Sequence, residues 1–147
     1  MQSKELKISE VMSSNIRYIK HDATVRDAAR LMVELDCGFL PISDENEVKL
    51  QGVVTDRDIV LRAVAEGKNP DTEPVAQFKS DKVMYRYQEQ TASEAVASMQ
   101  GQQIWRLIVL DNETDKQLAG VISVGDILRA GLHESAMKAA NIIEKAA

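Results

Sequence analysis

Two short segments of this chain place a hydroxyl and a carboxylate three positions apart: Thr55-Asp56-Arg57-Asp58 and Ser123-Val124-Gly125-Asp126. Each follows a glycine and two aliphatic residues, Gly52-Val53-Val54 and Gly120-Val121-Ile122. That order sets the hydroxyl where a buried strand hands over to a helix, and the carboxylate one turn in. An ionised carboxylate is acceptor-only, with two oxygens side by side, so it can receive both hydroxyls of a ribose. Free N–H groups at the start of the helix favour a phosphate. The apolar strand ends, Ile16, Leu40 and Val54 in one half and Val83, Leu107 and Ile122 in the other, could sandwich a flat purine. The same spacing also has a purely structural use. Thr-x-x-Asp and Ser-x-x-Asp are capping boxes, with Asp in place of Glu at the third helical position.

The two segments belong to a longer repeat. Thr24 to Met32 matches Thr91 to Met99, and Leu40 matches Leu107, at a constant offset of 67. Thr55 matches Ser123, and Asp58 matches Asp126, at 68, so one residue is inserted before Gly120. A repeat fixes architecture before any element is assigned. In the first copy, Ile8 to Met12 reads as a short lead-in helix and Ile16 to Ile19 as a strand. Thr24 caps a helix with Val25, Ala28, Ala29, Met32 and Leu35 on one face, and Gly38 is expected to break it. Phe39 to Ser43 and Leu50 to Val54 are strands, and a second helix runs from Thr55 to about Glu66. The second copy has a lead-in at Val75 to Phe78 and a strand at Val83 to Tyr87. A helix boxed by Thr91 and Glu94 follows, then strands at Trp105 to Leu110 and Leu118 to Ile122, and a helix from Ser123 to about Ala130. Gly67 to Pro74 reads as a linker. Leu132 to Ala147 is a weakly amphipathic tail helix, expected to cover a sheet edge or a dimer seam.

Strands and helices in this order imply an α/β (α+β) fold of two β-α-β-β-α repeats. Neither three-stranded half can bury its faces alone, so the expectation is a pseudo-two-fold pair sharing one core, with two grooves at the seam. The boundaries expected are 8–70 for the first repeat, 71–132 for the second and 133–147 for the tail. The 147 residues, 44% apolar and 28% charged, suit one soluble globular assembly of that kind. The net charge of −5 and the lack of a basic run argue against nucleic acid and anionic membrane as partners. No apolar run approaches the roughly 20 residues of a bilayer span. Residues Met1 to Lys7 have no apolar core, so no signal peptide is read there. Cys37 is the only cysteine, which fits a reducing, cytoplasmic setting.

These residues resemble the tandem CBS-domain family, the Bateman module named from cystathionine beta-synthase. The match runs from about Ile8 to Leu132 and rests on two ordered sets. One is the Thr24 helix, Leu40-Pro41-Ile42 and Gly52 to Asp58. The other is Leu107-Ile108-Val109 and Gly120 to Asp126. The resemblance is to a stand-alone CBS pair. It implies a non-catalytic module that binds AMP, ADP, ATP or S-adenosylmethionine (sometimes NADH) as a regulatory ligand and signals to a partner protein. It requires no cofactor. It implies that Asp58 and Asp126 take the ribose, with Thr55 and Ser123 near the phosphates. It also implies a homodimer built from the helices that begin at Thr24, Thr55, Thr91 and Ser123. Recurrence at matched positions favours nucleotide binding over plain capping.

The two copies are unequal. The first has Pro41 after Leu40, and Arg57 beside Asp58, where a guanidinium could fork onto a phosphate. The second has Ile108 and Gly125 at those places and lacks that cation, although Arg106 and Arg129 are near in sequence. The expectation is tighter binding of a phosphorylated adenosine at Asp58 than at Asp126. Cys37, His21 and His133 lack the close spacing of a zinc site. Cys37 reads as a small core or cleft residue, and Trp105 as a packing residue near the groove. The alternative function is a structural or adaptor dimer without nucleotide. A small enzyme is a distant third, because no nucleophile–base pair or phosphate-cradling glycine loop is present.

Overall fold

The computed structural model describes residues 5–14, 17–46, 49–80, 83–102, 104–132, 134 and 137. They fall into two compact units, one within Arg17–Val83, the other drawn from Met1–Ile16 and Met84–Ala147. The fold class is the mixed α/β one expected, with one three-stranded sheet in each unit.

In the Arg17–Val83 unit, β1 (Ile19–Lys20) lies parallel to β2 (Phe39–Ser43), and β2 lies antiparallel to β3 (Leu50–Thr55). Between β1 and β2 runs α2 (Val25–Leu35). Its Val25, Ala28 and Met32 are buried at helical spacing. Thr24 and Asp27 close a reciprocal box at its start, each backbone N–H donating to the other side chain at 3.1 Å. The helix stops at Asp36, which takes left-handed geometry (φ 52°), two residues before the expected break at Gly38. Gly38 is small for a different reason, since a Cβ there would lie 2.6 Å from the Asp56 carboxylate carbon. β1 pairs only with Ile42 and Ser43. At Pro41 the sheet is therefore two strands wide, the edge position that tolerates a residue without an N–H.

After β3 the chain makes one turn of helix, α3 (Asp56–Asp58), and then widens into a π-helix over Ile59–Val64. The five-residue step shows in the Ala65 N–H donating to the Val60 carbonyl at 2.9 Å and the Lys68 N–H to Ala63 at 3.0 Å. The helix expected from Thr55 to about Glu66 is thus formed, with its second part, Ile59–Val64, as a π-helix. The supposed linker is docked on the unit. Val25 and Arg26 N–H groups donate to the Glu73 and Pro70 carbonyls, and Arg26 pairs with Asp71.

The second unit repeats the plan with α1 (Ile8–Val11), β4 (Tyr85–Tyr87), α4 (Ala92–Gln102), β5 (Arg106–Leu110), β6 (Leu118–Ser123) and α5 (Val124–Arg129). β4 and β5 are parallel, and β5 and β6 antiparallel. Both antiparallel pairs carry a bulge at the same place, Ile42/Ser43 and Val109/Leu110. The extra residue of the second copy lies in the β5–β6 turn. The box expected at α4 is half formed: Glu94 N–H donates to Thr91 Oγ1, while the Glu94 carboxylate accepts from Gln90 Nε2 at 2.7 Å.

Among the described residues, the buried apolar residues form two clusters, one in each unit. The lead-in segments make this possible, and they are exchanged relative to the sequence repeat. Ile8, fully buried, belongs to the cluster of Leu107, Ile122 and Ile127 in the second unit. Val75 and Phe78, on the short 3₁₀ turn Val75–Phe78, belong to the cluster of Leu40, Val54 and Ile59 in the first. The N-terminal segment is tied to β6 by two backbone bonds between Ser13 and Val121, at 2.9 and 3.0 Å. Leu132 packs on the second cluster. Apart from Leu132, Glu134 and Met137, the expected tail helix lies outside the described residues.

Candidate functional site

At the first motif, β3 delivers Thr55 opposite Phe39 of β2. The Asp56 N–H donates to the Gly38 carbonyl at 2.9 Å, fixing the strand-to-helix step. Asp58 then folds back on Thr55. Its Oδ2 accepts the Thr55 N–H and the Thr55 hydroxyl, each at 2.9 Å, and its own N–H donates to Thr55 Oγ1 at 3.1 Å. The capping box is therefore real. It uses only one carboxylate oxygen. Oδ1 of half-buried Asp58 accepts no hydrogen bond among the described residues. Arg57, next in line, is exposed and makes no ion pair among the described residues.

The second motif is built alike and finished differently. The Val124 N–H donates to the Trp105 carbonyl at 3.0 Å, as Asp56 does to Gly38. Asp126 Oδ2 accepts the Ser123 N–H at 2.9 Å, and the Asp126 N–H donates to Ser123 Oγ at 3.1 Å. Here the other oxygen is also taken: Oδ1 accepts from the Arg129 guanidinium. The Asp126 side chain is only 8% exposed, against 73% for Arg129. A neutralising partner is what a carboxylate this buried requires. An open pocket of about 430 Å³ sits on this motif, lined by Trp105, Arg106, Ser123, Val124, Gly125 and Arg129.

The remaining sequence candidates fall in three groups. Leu40, Val54, Leu107 and Ile122 are fully buried inside the apolar clusters of their own units. They lie in the apolar clusters beneath the motifs. Pro41 is buried in β2, and Val83 is half-buried. Ile16 lies outside the described residues. Sequence reasoning put Trp105 near the groove and Arg106 and Arg129 near the second motif in sequence, but assigned none of them to the site, whereas all three line this pocket. The i,i+3 spacing of Asp126 and Arg129 was the available signal, and Arg106 stands opposite Ser123 in the β5–β6 register. Arg62 is a structural residue, donating to the Gln77, Phe78 and Lys79 carbonyls.

The model for the CBS domain matches residues 8–64 and 81–133. The chain belongs to the CBS-domain family. Among curated proteins it is 31% identical to the uncharacterized protein YlbB of Bacillus subtilis, over 82% of this chain and 79% of that one. It is 29% identical to hypoxic response protein 1 of Mycobacterium tuberculosis, over 82% and 81%. A solved structure of Hypoxic Response Protein I with two coordinated zinc ions aligns with a TM-score of 0.73 at 27% identity, over 84% of this chain and 97% of that one. A CBS domain protein from Pyrobaculum aerophilum complexed with AMP aligns with a TM-score of 0.74 at 24% identity, over 90% and 99%. Among the described residues of this CBS chain, no group of three or more His, Cys, Asp or Glu could hold a metal. His21 and Cys37 stand at opposite ends of β2, and Cys37 Sγ donates to the Phe39 carbonyl at 3.2 Å. No helix among the described residues is long and apolar enough to cross a membrane.

Proposed function

We propose that this CBS pair is a non-catalytic regulatory module whose ligand is an adenosine nucleotide or S-adenosylmethionine, docked first at Thr55–Asp58. One observation carries the reading: among the described residues, Asp58 Oδ1 accepts no hydrogen bond, and the preceding residue, Arg57, is exposed and makes no ion pair. An open carboxylate oxygen suits a ribose hydroxyl, and a free guanidinium suits a phosphate. Both ends of one nucleotide then meet consecutive residues. The AMP complex of a protein with this fold makes adenosine compounds the first to test. Asp126 has a partner on each oxygen and a nearly buried side chain, so it presents a less accessible acceptor than half-buried Asp58, and the two motifs are unequal.

The signal has a route out of this site. The π segment starts at the residue after Asp58 and carries Val60, Leu61 and Val64 exposed on its surface. Three large apolar side chains in open water on six residues suit a protein contact. A second copy of the chain, or the regulated partner, would cover them.

A thermal-shift panel tests the reading, with AMP, ATP, S-adenosylmethionine, NADH and a guanosine nucleotide on the wild type, Asp58→Ala and Asp126→Ala. A ligand confined to the native state at about 100 times its Kd adds about 2.7 kcal/mol. The expected result is a shift for adenosine compounds alone, weakened more by Asp58→Ala than by Asp126→Ala. Equal weakening by both removes the asymmetry, and no shift at all leaves the motifs as helix caps.

A further inference from the structure

We propose that the Arg17–Val83 unit carries a second binding site, for a small zwitterion of the α-amino-acid class, at the end of its sheet away from Thr55 and Asp58. β2 ends at Ser43 and β3 begins at Leu50, while Thr55 closes β3 at the opposite end. An open pocket of about 470 Å³ lies there, within the range of about 300–1,000 Å³ usual for small-molecule sites. His21, Asp44, Glu45 and Lys79 line it, with the amides of Asn46 and Gln51. Backbone bonds hold the walls in place. The His21 N–H donates to the Ser43 carbonyl at 3.1 Å, and the His21 carbonyl accepts from the Ala76 N–H at 3.3 Å. The Ser80 N–H donates to the Val53 carbonyl at 2.7 Å, which brings Lys79 against β3. Gly52 leaves space for the lysine stem, since a Cβ there would stand 3.0 Å from Lys79 Cδ.

The opposite charges of this pocket do not close on each other. Among the described residues, half-buried Lys79 and exposed Glu45 make no ion pair, and the ring of half-buried His21 makes no hydrogen bond. A simple anion would meet the Asp44 and Glu45 carboxylates, and a simple cation would meet Lys79. A zwitterion suits both, with its carboxylate on Lys79 and His21 and its ammonium on Glu45. The other unit shows that the fold does not demand these side chains. At the repeat offsets of 67 and 68, His21, Glu45, Gln51 and Lys79 stand where it has Gln88, Asn112, Ala119 and Met12. Met12 does the packing of the lysine stem there, with Sδ 2.9 Å from a Cβ built on Gly120. Asp44 is different, because Asp111 matches it and both close the same turn. Asp44 Oδ1 accepts from the Asn46 and Lys49 N–H groups at 3.2 and 3.3 Å, and Asp111 Oδ1 from Asn112 and Gln117 at 2.7 and 2.8 Å. Asp44 therefore shapes the pocket, and recognition falls to the residues in which the two units differ.

The test follows amide and His21 ring shifts of the labelled full chain by NMR. Glycine, L-alanine, L-glutamine and L-glutamate are each added to about 20 mM, past the millimolar Kd that a few charge-assisted contacts give. Acetate and methylammonium serve as half-ligands. Saturable shifts are expected at the His21, Gln51 and Lys79 amides with the amino acids. Each half-ligand is expected to bind at least about tenfold more weakly, because it keeps one charged contact of two. Lys79→Met and Glu45→Gln are each expected to weaken L-alanine at least about fivefold, and His21→Gln about two- to threefold. Lys79→Met takes the residue the other unit uses at that place, so the fold survives it. The proposal is overturned if acetate or methylammonium matches L-alanine, if no shift saturates, or if Lys79→Met and Glu45→Gln both bind as the wild type does. None of these outcomes touches the nucleotide reading, which is decided by the thermal shifts of Asp58→Ala.

Discussion

Gly52 and Gly120 occupy the same place in the two repeats, yet replacing each by alanine should have very different consequences. At Gly120, a new Cβ would collide with the Ser13 carbonyl oxygen and lie 2.9 Å from Met12 Sδ. The backbone of the docked N-terminal segment must then move, and the two bonds between Ser13 and Val121 go with it. Two backbone hydrogen bonds at about 1 kcal/mol each, plus about 1–3 kcal/mol for overpacking, are offset by about 0.4–1 kcal/mol of lost unfolded-state freedom. The net cost is about 2–5 kcal/mol, a large part of the roughly 5–15 kcal/mol a domain has. At Gly52 the neighbour is the Lys79 side chain, with Cδ at 3.0 Å and Cβ at 3.3 Å. A lysine stem can shift, so Gly52→Ala should fall within about 1 kcal/mol of the wild type. Urea unfolding followed by Trp105 fluorescence reads the unit that holds Gly120. Hydrogen exchange at the Ser13 and Val121 amides shows whether the docked segment has come away. A Gly120→Ala protein within about 0.5 kcal/mol of the wild type by this readout, with both amides still protected, would refute the argument.

Arg62→Met removes the guanidinium that three carbonyls share, at 3.0–3.4 Å, and should lower stability by about 1–2 kcal/mol, read as a drop in Tm. The Arg26–Asp71 pair gives a pH signature. The hydrogen bond from Arg26 holds the Asp71 carboxyl below its ordinary value of 3.8. A lowered folded pKa contributes stability above the unfolded value and loses it as pH falls through the folded one. Melting curves should therefore show the wild type above Asp71→Asn at neutral pH and the two converging in acid below the ordinary carboxylate range; a gap that widens in acid would contradict the assignment. Val60→Lys combined with Val64→Lys should halve the sedimenting mass if a second copy covers the π segment, and an unchanged mass would place the contact elsewhere.

Much of this fold could be read from local pattern, because strands and caps are local objects. β2 falls on Phe39–Ser43 as the short apolar run implied, and the step from 67 to 68 in the repeat is the longer β5–β6 turn. Thr24, Thr55 and Ser123 cap helices as their side chains dictate. Placement over long range was not legible. Nothing in Ile8 or Val75 says which sheet it will cover, because an apolar lead-in fits either apolar face, and only the path of the backbone decides. The π segment escaped notice for a similar reason, since Ile59 to Val64 carries no residue that forbids an α-helix. At the motifs, hydroxyl and carboxylate were found by spacing. The difference between them lies in Arg129, a residue outside the repeated motif whose reach matters more than its position.

The exchanged lead-in segments also set an order of events during synthesis. The Arg17–Val83 unit contains all of its own strands, so it can close once its last residues leave the ribosome. Ile8 cannot be buried then, because Leu107, Ile122 and Ile127 have yet to be made. At roughly 5–20 residues per second, the wait from Val83 to Ile127 is on the order of 2–9 s. Throughout it the Ile8–Val11 segment stays uncovered while the other unit is finished. Its docking on the Leu107 cluster, with Ser13 bonded to Val121 of β6, completes the second unit.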